Sequence, residues 1–312
     1  MTLHHSSGRW RLGLALSLLT VVLWGILPIT LKVTLQALDV YTVTWFRFLV
    51  SFALLALYLG LRQQLPKLAT LRATPLNLLV IATVSLALNY LLYLEGLNQT
   101  TAANAQVLIQ LAPVLLGLGA LTIFKERYTQ WQWLGLGTLA AGLVLFFDEQ
   151  LRTLVTAPQQ YLWGSGLILL AAAIWTVYAL AQKQLLQKLP SAVIMLAIYG
   201  GSALLFSPVA SPLQIGSLSP LHLSMLLLCA LNTLMAYGAF AEALEHWEAS
   251  RVSAVLSLTP LVTLGAVFTV DLIWPTLMPP EPLTVLGLTG AVLVVVGSLG
   301  IALGRSSKAV KG

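Results

Sequence analysis

Apolar runs long enough to cross a bilayer alternate with short polar loops along nearly the whole chain. A helix needs roughly 20 mainly apolar residues to span the hydrocarbon. That window places crossings at 12–31, 41–61, 76–94, 104–124, 131–147, 162–182, 191–210, 221–241, 252–273 and 283–303. Barrel strands would alternate apolar and polar residues over about ten positions, and these runs do not. The pattern predicts an all-α integral membrane protein of ten transmembrane helices. The short tail ahead of the first run predicts a first span that is not cleaved.

Two stretches break the apolar rule in the same way. QVLIQLAPVLLGL, residues 106–118, carries Gln106, Gln110 and Pro113 at i, i+4 and i+7, on one helical face. SAVLSLTPLVTLG, residues 253–265, repeats that face as Ser253, Ser257 and Pro260. A shift of 147 residues pairs Glu95 with Glu242, Ser85 with Asn232, Tyr90 with Tyr237 and Leu111 with Leu258. Nearer the start of each half, a shift of 151 places Trp24 on Trp175, Lys32 on Lys183 and Ser51 on Ser202. Matches in one order at a nearly constant offset argue for internal duplication. The chain divides into a first five-helix repeat at 12–150 and a second at 151–304, with tails at 1–11 and 305–312. A unit of five spans reverses direction when repeated, so the two halves are inverted around a central cavity. Inverted repeats are a recurring design of secondary transporters.

Composition sharpens this picture. Of 312 residues, 58% are hydrophobic and 8% charged, against roughly 25% charged in soluble domains. The mean hydropathy is +0.90. No soluble fold could cover its surface from such a sequence. The net charge of +6 follows topology. Arg9, Arg11, Arg62, Lys67, Arg72, Lys125, Arg127, Lys183, Lys188, Arg251, Arg305, Lys308 and Lys311 fall on one side of the expected membrane. Only Lys32 and Arg152 fall on the other, and Arg47 lies within a span. The positive-inside rule makes the first side, with both termini, cytoplasmic. A nucleic-acid partner is not needed to explain the basic balance; the expected partners are the bilayer, that of a bacterial inner membrane, and a small-molecule substrate. The lone Cys229 excludes an intramolecular disulfide and reads as a packing residue.

Several motifs resemble the drug/metabolite transporter superfamily. They are Trp24-Gly25, WFRF at 45–48, LNQTTAANAQVLIQLAPV at 97–114, FKERYT at 124–129 with Glu126, and WLGLGTLAAGLVL at 133–145. The similarity is to its EamA-type branch of paired five-helix repeats. It implies a ten-helix carrier with a central cavity that moves small organic solutes by alternating access. The second half departs from the pattern. Thr176 follows Trp175 where the first half has Gly25, the position opposite Arg47 is apolar near Ala197, and Asp271 with the insert WPTLMPPEP replaces an expected glutamate.

Polar side chains at membrane depth are costly unless they face protein or a wet cavity. Ser85, Asn89 and Tyr93 share one face of the third span, and Asn232 marks the eighth. Thr20 and Trp24 lie on the first span, and Trp175 and Tyr178 on the sixth. These faces, with those of Gln106, Gln110, Ser253 and Ser257, are expected to converge on one substrate cavity. Interhelical hydrogen bonding is the alternative, and small hydroxyls also pair with local carbonyls. Pro113 and Pro260 are expected in helix interiors, as kinks or as hinges of a gate. Arg47 is expected to snorkel outward along its aliphatic stem, with a counter-charge for an anionic substrate as the other reading. No cofactor or metal is implied, because His4, His5, His222 and His246 lack metal-ligand spacing and no nucleophile has a neighbouring base. Enzyme chemistry is therefore not expected, and no charged ring suggests a channel. No carboxylate lies deep in a span, which weakens a proton-driven mechanism; coupling to protons and to a counter-substrate are the two readings. The expected cargo is amino acids or related solutes, by export or exchange. A sugar-phosphate or nucleotide-sugar exchanger would need several cavity cations; a multidrug exporter is a further alternative.

Overall fold

The computed structural model describes residues 9–66, 75–123, 128–154, 159–278 and 285–303. Lys67, Arg72, Lys125, Arg127, Arg305, Lys308, Lys311 and Glu126 lie outside the described residues. The first half comprises α1 (Trp10–Thr34), α2 (Val40–Leu61), α3 (Leu76–Gln99), α4 (Ala102–Leu108), α5 (Leu111–Ile123) and α6 (Gln130–Leu154). The second half comprises α7 (Gln159–Leu185), α8 (Ser191–Phe206), α9 (Pro220–His246), α10 (Ala249–Leu256), α11 (Thr259–Ile273) and α12 (Val285–Leu303). A 3₁₀ turn at Pro212–Ser217 links α8 to α9. By length and composition α1, α2, α3, α7 and α9 can each cross a membrane, and α8, α11 and most of α12 are shorter apolar helices.

The expected fourth and ninth spans are each two half-helices, and this corrects the reading of their prolines. Pro113 is the third residue of α5 and Pro260 the second of α11, so neither interrupts a continuous helix. In a first turn the backbone N–H has no intrahelical acceptor, so proline forfeits nothing there. The chain tightens across each break through i→i−3 bonds. Gln110 N–H donates to Val107 O at 3.1 Å, and Leu258 N–H to Val255 O at 3.0 Å. The Leu256 carbonyl, which Pro260 cannot serve, accepts the Thr259 hydroxyl.

The halves interlock by exchange. α1 packs on α9 and α11 of the second half, while its counterpart α7 packs on α3 and α5 of the first. The α2–α9 contact is matched by α8–α3, and α2–α8 and α6–α12 join equivalent helices directly. Side chains stitch the same crossings. Asn89 Nδ2 donates to Ala171 O at 2.9 Å between α3 and α7; Asn232 Nδ2 donates to Leu23 O at 2.5 Å between α9 and α1. Gly25 and Thr176 show why one half dispensed with glycine. A Cβ at Gly25 would lie 2.5 Å from Val262 Cγ1, and the Gly25 carbonyl accepts the Thr263 hydroxyl at 2.7 Å. At the equivalent place Thr176 uses its own hydroxyl, reaching Ala112 O at 3.3 Å.

The α6–α12 pair is built on small residues. A Cβ at Gly297 would sit 2.3 Å from Leu139 N, and one at Gly142 would sit 2.6 Å from Val294 N. Backbones this close gain van der Waals contact that lipid cannot offer. Gly300 belongs to the same seam, 3.0 Å from Gly135 Cα by its would-be Cβ. The opposite face of α12 exposes Val285, Leu288, Val292 and Val296 at helical spacing, a lipid-facing stripe.

Gly297→Ala must part α6 from α12 and should lower the thermal unfolding temperature in detergent by about 5 °C. Gly137→Ala, on the same α6 helix with no atom within 4 Å of its would-be Cβ, should shift it by under ~2 °C. Pro260→Ala should likewise change stability by less than ~1 kcal/mol, whereas relief of a proline interrupting a helix would gain ~3 kcal/mol.

Candidate functional site: a cavity between the repeats

One cavity lies where both broken helices meet the exchanged helices. It encloses about 660 Å³ of space between atoms, its open mouth included. Trp24 and Leu27 reach it from α1, Arg47 from α2, and Asn89, Tyr90, Tyr93 and Leu94 from α3. The first break supplies Gln106, Ile109, Gln110 and Ala112; the second half supplies Trp175, Tyr237, Leu256 and Thr259. Discontinuous helices at the interface of inverted repeats are where transporters place their substrate sites.

The walls are pseudo-symmetric and aromatic. Trp24 meets its counterpart Trp175 edge to face at 5.9 Å, and Tyr90 meets its counterpart Tyr237 at 5.5 Å. Trp24 also packs on Tyr237 at 5.0 Å and on Phe240 at 5.5 Å. Ile109 with Leu256, and Ala112 with Thr259, complete the matched pairs at the two breaks. The Trp24–Trp175 and Trp24–Tyr237 pairs are edge to face, the geometry that ring quadrupoles favour, and the other two are tilted.

The polar groups do not follow the symmetry. Arg47, Asn89, Gln106 and Gln110 all come from the first half, where the second half has Ile198, Ala236, Ser253 and Ser257. Ser253 and Ser257 are buried but do not line the cavity. The Ser257 hydroxyl instead turns back to Ser253 O at 3.2 Å. Asn232 and Tyr178 are outside the lining too: Asn232 is committed to Leu23 O, and the Tyr178 hydroxyl reaches Met195 Sδ at 3.6 Å. Ser85 is half-buried on α3 and lies away from the cavity. Thr20 bonds to the local Leu16 carbonyl at 2.8 Å. Of the polar side chains expected here, the structure therefore brings together the amides Asn89, Gln106 and Gln110 with the rings of Trp24, Tyr93 and Trp175. Tyr90, Tyr237 and Thr259 were not expected. The Tyr90/Tyr237 pairing in the repeat was the signal for two of them, because rings matched across a pseudo-axis lie close to it.

Arg47 does not snorkel. It is 2% exposed and points inward, because α2 is fixed at its start by Asp39. The Asp39 carboxylate accepts the backbone N–H groups of Tyr41 and Thr42, each at 2.9 Å. The Thr42 hydroxyl donates to Asp39 at 2.6 Å and accepts the Ser211 N–H at 2.9 Å, tying this end to the loop after α8. Two turns on, Arg47 Nε donates to Thr233 Oγ1 at 2.9 Å. That hydroxyl spends its own proton on Cys229 O at 2.9 Å, so its oxygen is free to accept. The Arg47 guanidinium carbon stands 4.4 Å from the Tyr90 ring centroid. Among the described residues no carboxylate pairs with it. A desolvated cation–π contact contributes about 2 kcal/mol and a charge-assisted hydrogen bond about 1.5–3 kcal/mol. Desolvating the ion costs several kcal/mol, so these two contacts hold the guanidinium without cancelling its charge. Elsewhere in the lining, the Gln110 Nε2 donor is buried without a hydrogen-bond partner.

Comparison with known proteins agrees with this architecture. Residues 11–148 and 162–303 each match the EamA-like transporter family. The chain is 37% identical over 295 residues to an uncharacterized inner membrane transporter, YhbE, of Escherichia coli (strain K12), covering 94% of this chain and 92% of that one. It is 28% identical over 298 residues to a probable amino-acid metabolite efflux pump of the same organism, covering 90% and 92%. A solved crystal structure shares the fold at a TM-score of 0.67 and 17% identity, covering 93% of this chain and 97% of that one. With both halves matched, an interlocked pair of repeats and a cavity at their junction, the chain belongs to the EamA-like transporter family and is a membrane transporter of that type.

Proposed function

We propose that this transporter exports or exchanges amino acids or related small metabolites across a bacterial inner membrane by alternating access. The observation that carries the reading is the cavity itself: a pseudo-symmetric aromatic frame, fitted on one side with amides, at the point where two broken helices meet. An apolar setting with a few oriented polar groups is the usual make-up of a small-molecule site. Asn89, Gln106 and Gln110 suit the polar end of such a solute, and Trp24, Trp175 and Tyr237 its body. The names of the relatives support both parts: one is an inner membrane transporter and another a probable amino-acid metabolite efflux pump.

In this reading the paired half-helices count as single spans, giving ten in all, with both termini cytoplasmic by the positive-inside rule. Exchanging the conformations of the two interlocked halves then opens the cavity to one side and the other in turn. Pro113 and Pro260, at the start of the second half-helices, place a stiff first turn beside the break, where a gate would pivot. One guanidinium and no further cation among the described lining residues suits a small solute better than a sugar phosphate, which calls for several cations.

Counterflow of labelled amino acids in proteoliposomes tests the proposal. Uptake should saturate and be stimulated by unlabelled solute on the far side; a large unsaturable current would instead make the protein a channel. Gln110→Leu, which removes an amide whose nitrogen has no partner among the described residues, should slow uptake about 3- to 10-fold at unchanged expression.

A further inference from the structure

We infer that Arg47 is the carboxylate-binding group of the cavity, so that a negatively charged acid group is a condition of binding and a cation is refused. The inference rests on the transporter reading above and names which part of the solute goes where.

A membrane-buried charge needs a counter-charge, and this one has none among the described residues. Among the described residues Arg47 hydrogen-bonds only through Nε, to Thr233. Its two terminal nitrogens, with four N–H groups between them, have no partner among the described residues. They form the planar fork that pairs a carboxylate through two parallel bonds. The tether to Thr233 and the seat on Tyr90 hold that fork in one orientation, so little freedom remains to be lost on binding.

The neighbouring polar groups add donors. Among the described residues Gln110 Nε2 is a donor buried without a partner, and the Tyr90 ring lies beneath the guanidinium. Both side chains line the same cavity. An anion supplies the acceptors that Gln110 Nε2 and the terminal Arg47 nitrogens lack. No Asp or Glu lines the cavity among the described residues, so a cationic solute would meet Arg47 with nothing to offset the repulsion.

The asymmetry between the halves points the same way. The aromatic frame recurs in both repeats, whereas the position of Arg47 falls on Ile198 in the second. A structural role in joining α2 to α9 would have its equivalent between α8 and α3. That equivalent contact exists without a charge. The guanidinium is thus not required by the packing and is free to serve a ligand.

A ligand series on one carbon skeleton gives the test. Purified protein is titrated with leucine, 4-methylpentanoate, leucinamide and 4-methylpentanamide while thermal unfolding is followed. Leucine and 4-methylpentanoate, which carry the carboxylate, should stabilise the protein at concentrations at least about tenfold below either amide, the ratio expected for one charge-assisted pair. In Arg47→Gln that preference should vanish, and in Arg47→Lys it should survive in weakened form, because a point charge replaces the fork. Equal stabilisation by leucinamide and leucine, or no stabilisation by either carboxylate, would overturn the inference using the unmodified protein alone. Leucine counterflow in proteoliposomes, run in parallel, separates the two levels. Carboxylate-selective binding without flux counts against the carrier reading, and flux without carboxylate preference counts against the role of Arg47.

Discussion

Everything in this fold answers to one constraint: in hydrocarbon, a backbone N–H or C=O that finds no partner costs several kcal/mol. Continuous helices meet it within themselves. A broken helix cannot, so a break survives only where protein or a wet cavity surrounds it. Both breaks here, at 109–110 and 257–258, lie against helices of the opposite half, and short i→i−3 bonds with the Thr259 hydroxyl close the gap. The exchange of α1 and α7 between halves follows from the same need. Each covers the other half's break and takes part of its polar surplus, through Thr263 to Gly25 and through Thr176 to Ala112.

The cavity is a by-product of that arrangement before it is a binding site. Broken helices leave space between their ends, and the pseudo-axis brings Trp24 to Trp175 and Tyr90 to Tyr237 around it. Duplication thereby supplies a symmetric apolar chamber without chemical preference. Preference enters where the halves have diverged. Arg47, Asn89, Gln106 and Gln110 correspond to apolar or small hydroxyl residues in the second half, so the two halves line the cavity with different chemistry. On the proposed carrier reading, the matched rings serve the mechanics and the unmatched polar residues serve the site.

The outer surface is simpler. α12 turns glycines inward against α6 and valines outward to lipid. Close backbone approach there substitutes for a hydrophobic driving force that is absent inside a bilayer. The seam joins equivalent helices at the far edge of each repeat, away from the cavity lining.

Hydropathy alone determined the helical class and the approximate place of each apolar segment, because length and apolarity are what lipid demands of a spanning helix. Repeated Trp, Tyr and Pro positions revealed the duplication, because equivalent positions face equivalent surroundings. Periodicity put Gln106 and Gln110 on one face, and both line the cavity although Gln110 lies in the break; it put Ser253 and Ser257 on the equivalent face, and those hydroxyls do not reach the cavity. A serine can satisfy itself on the preceding turn, as Ser257 does; a glutamine offers more groups than a local carbonyl can serve. The prolines were legible as interruptions, but their position at the head of a half-helix was decided by where the chain breaks, three residues or fewer before them. Arg47 shows the limit most clearly. Sequence marks a charge in a span, and a long stem permits either direction. Only packing, with Asp39 fixing the start of α2 and Thr233 and Tyr90 waiting on neighbouring helices, turns that charge inward, because these partners lie far apart in the chain and meet only when the helices assemble.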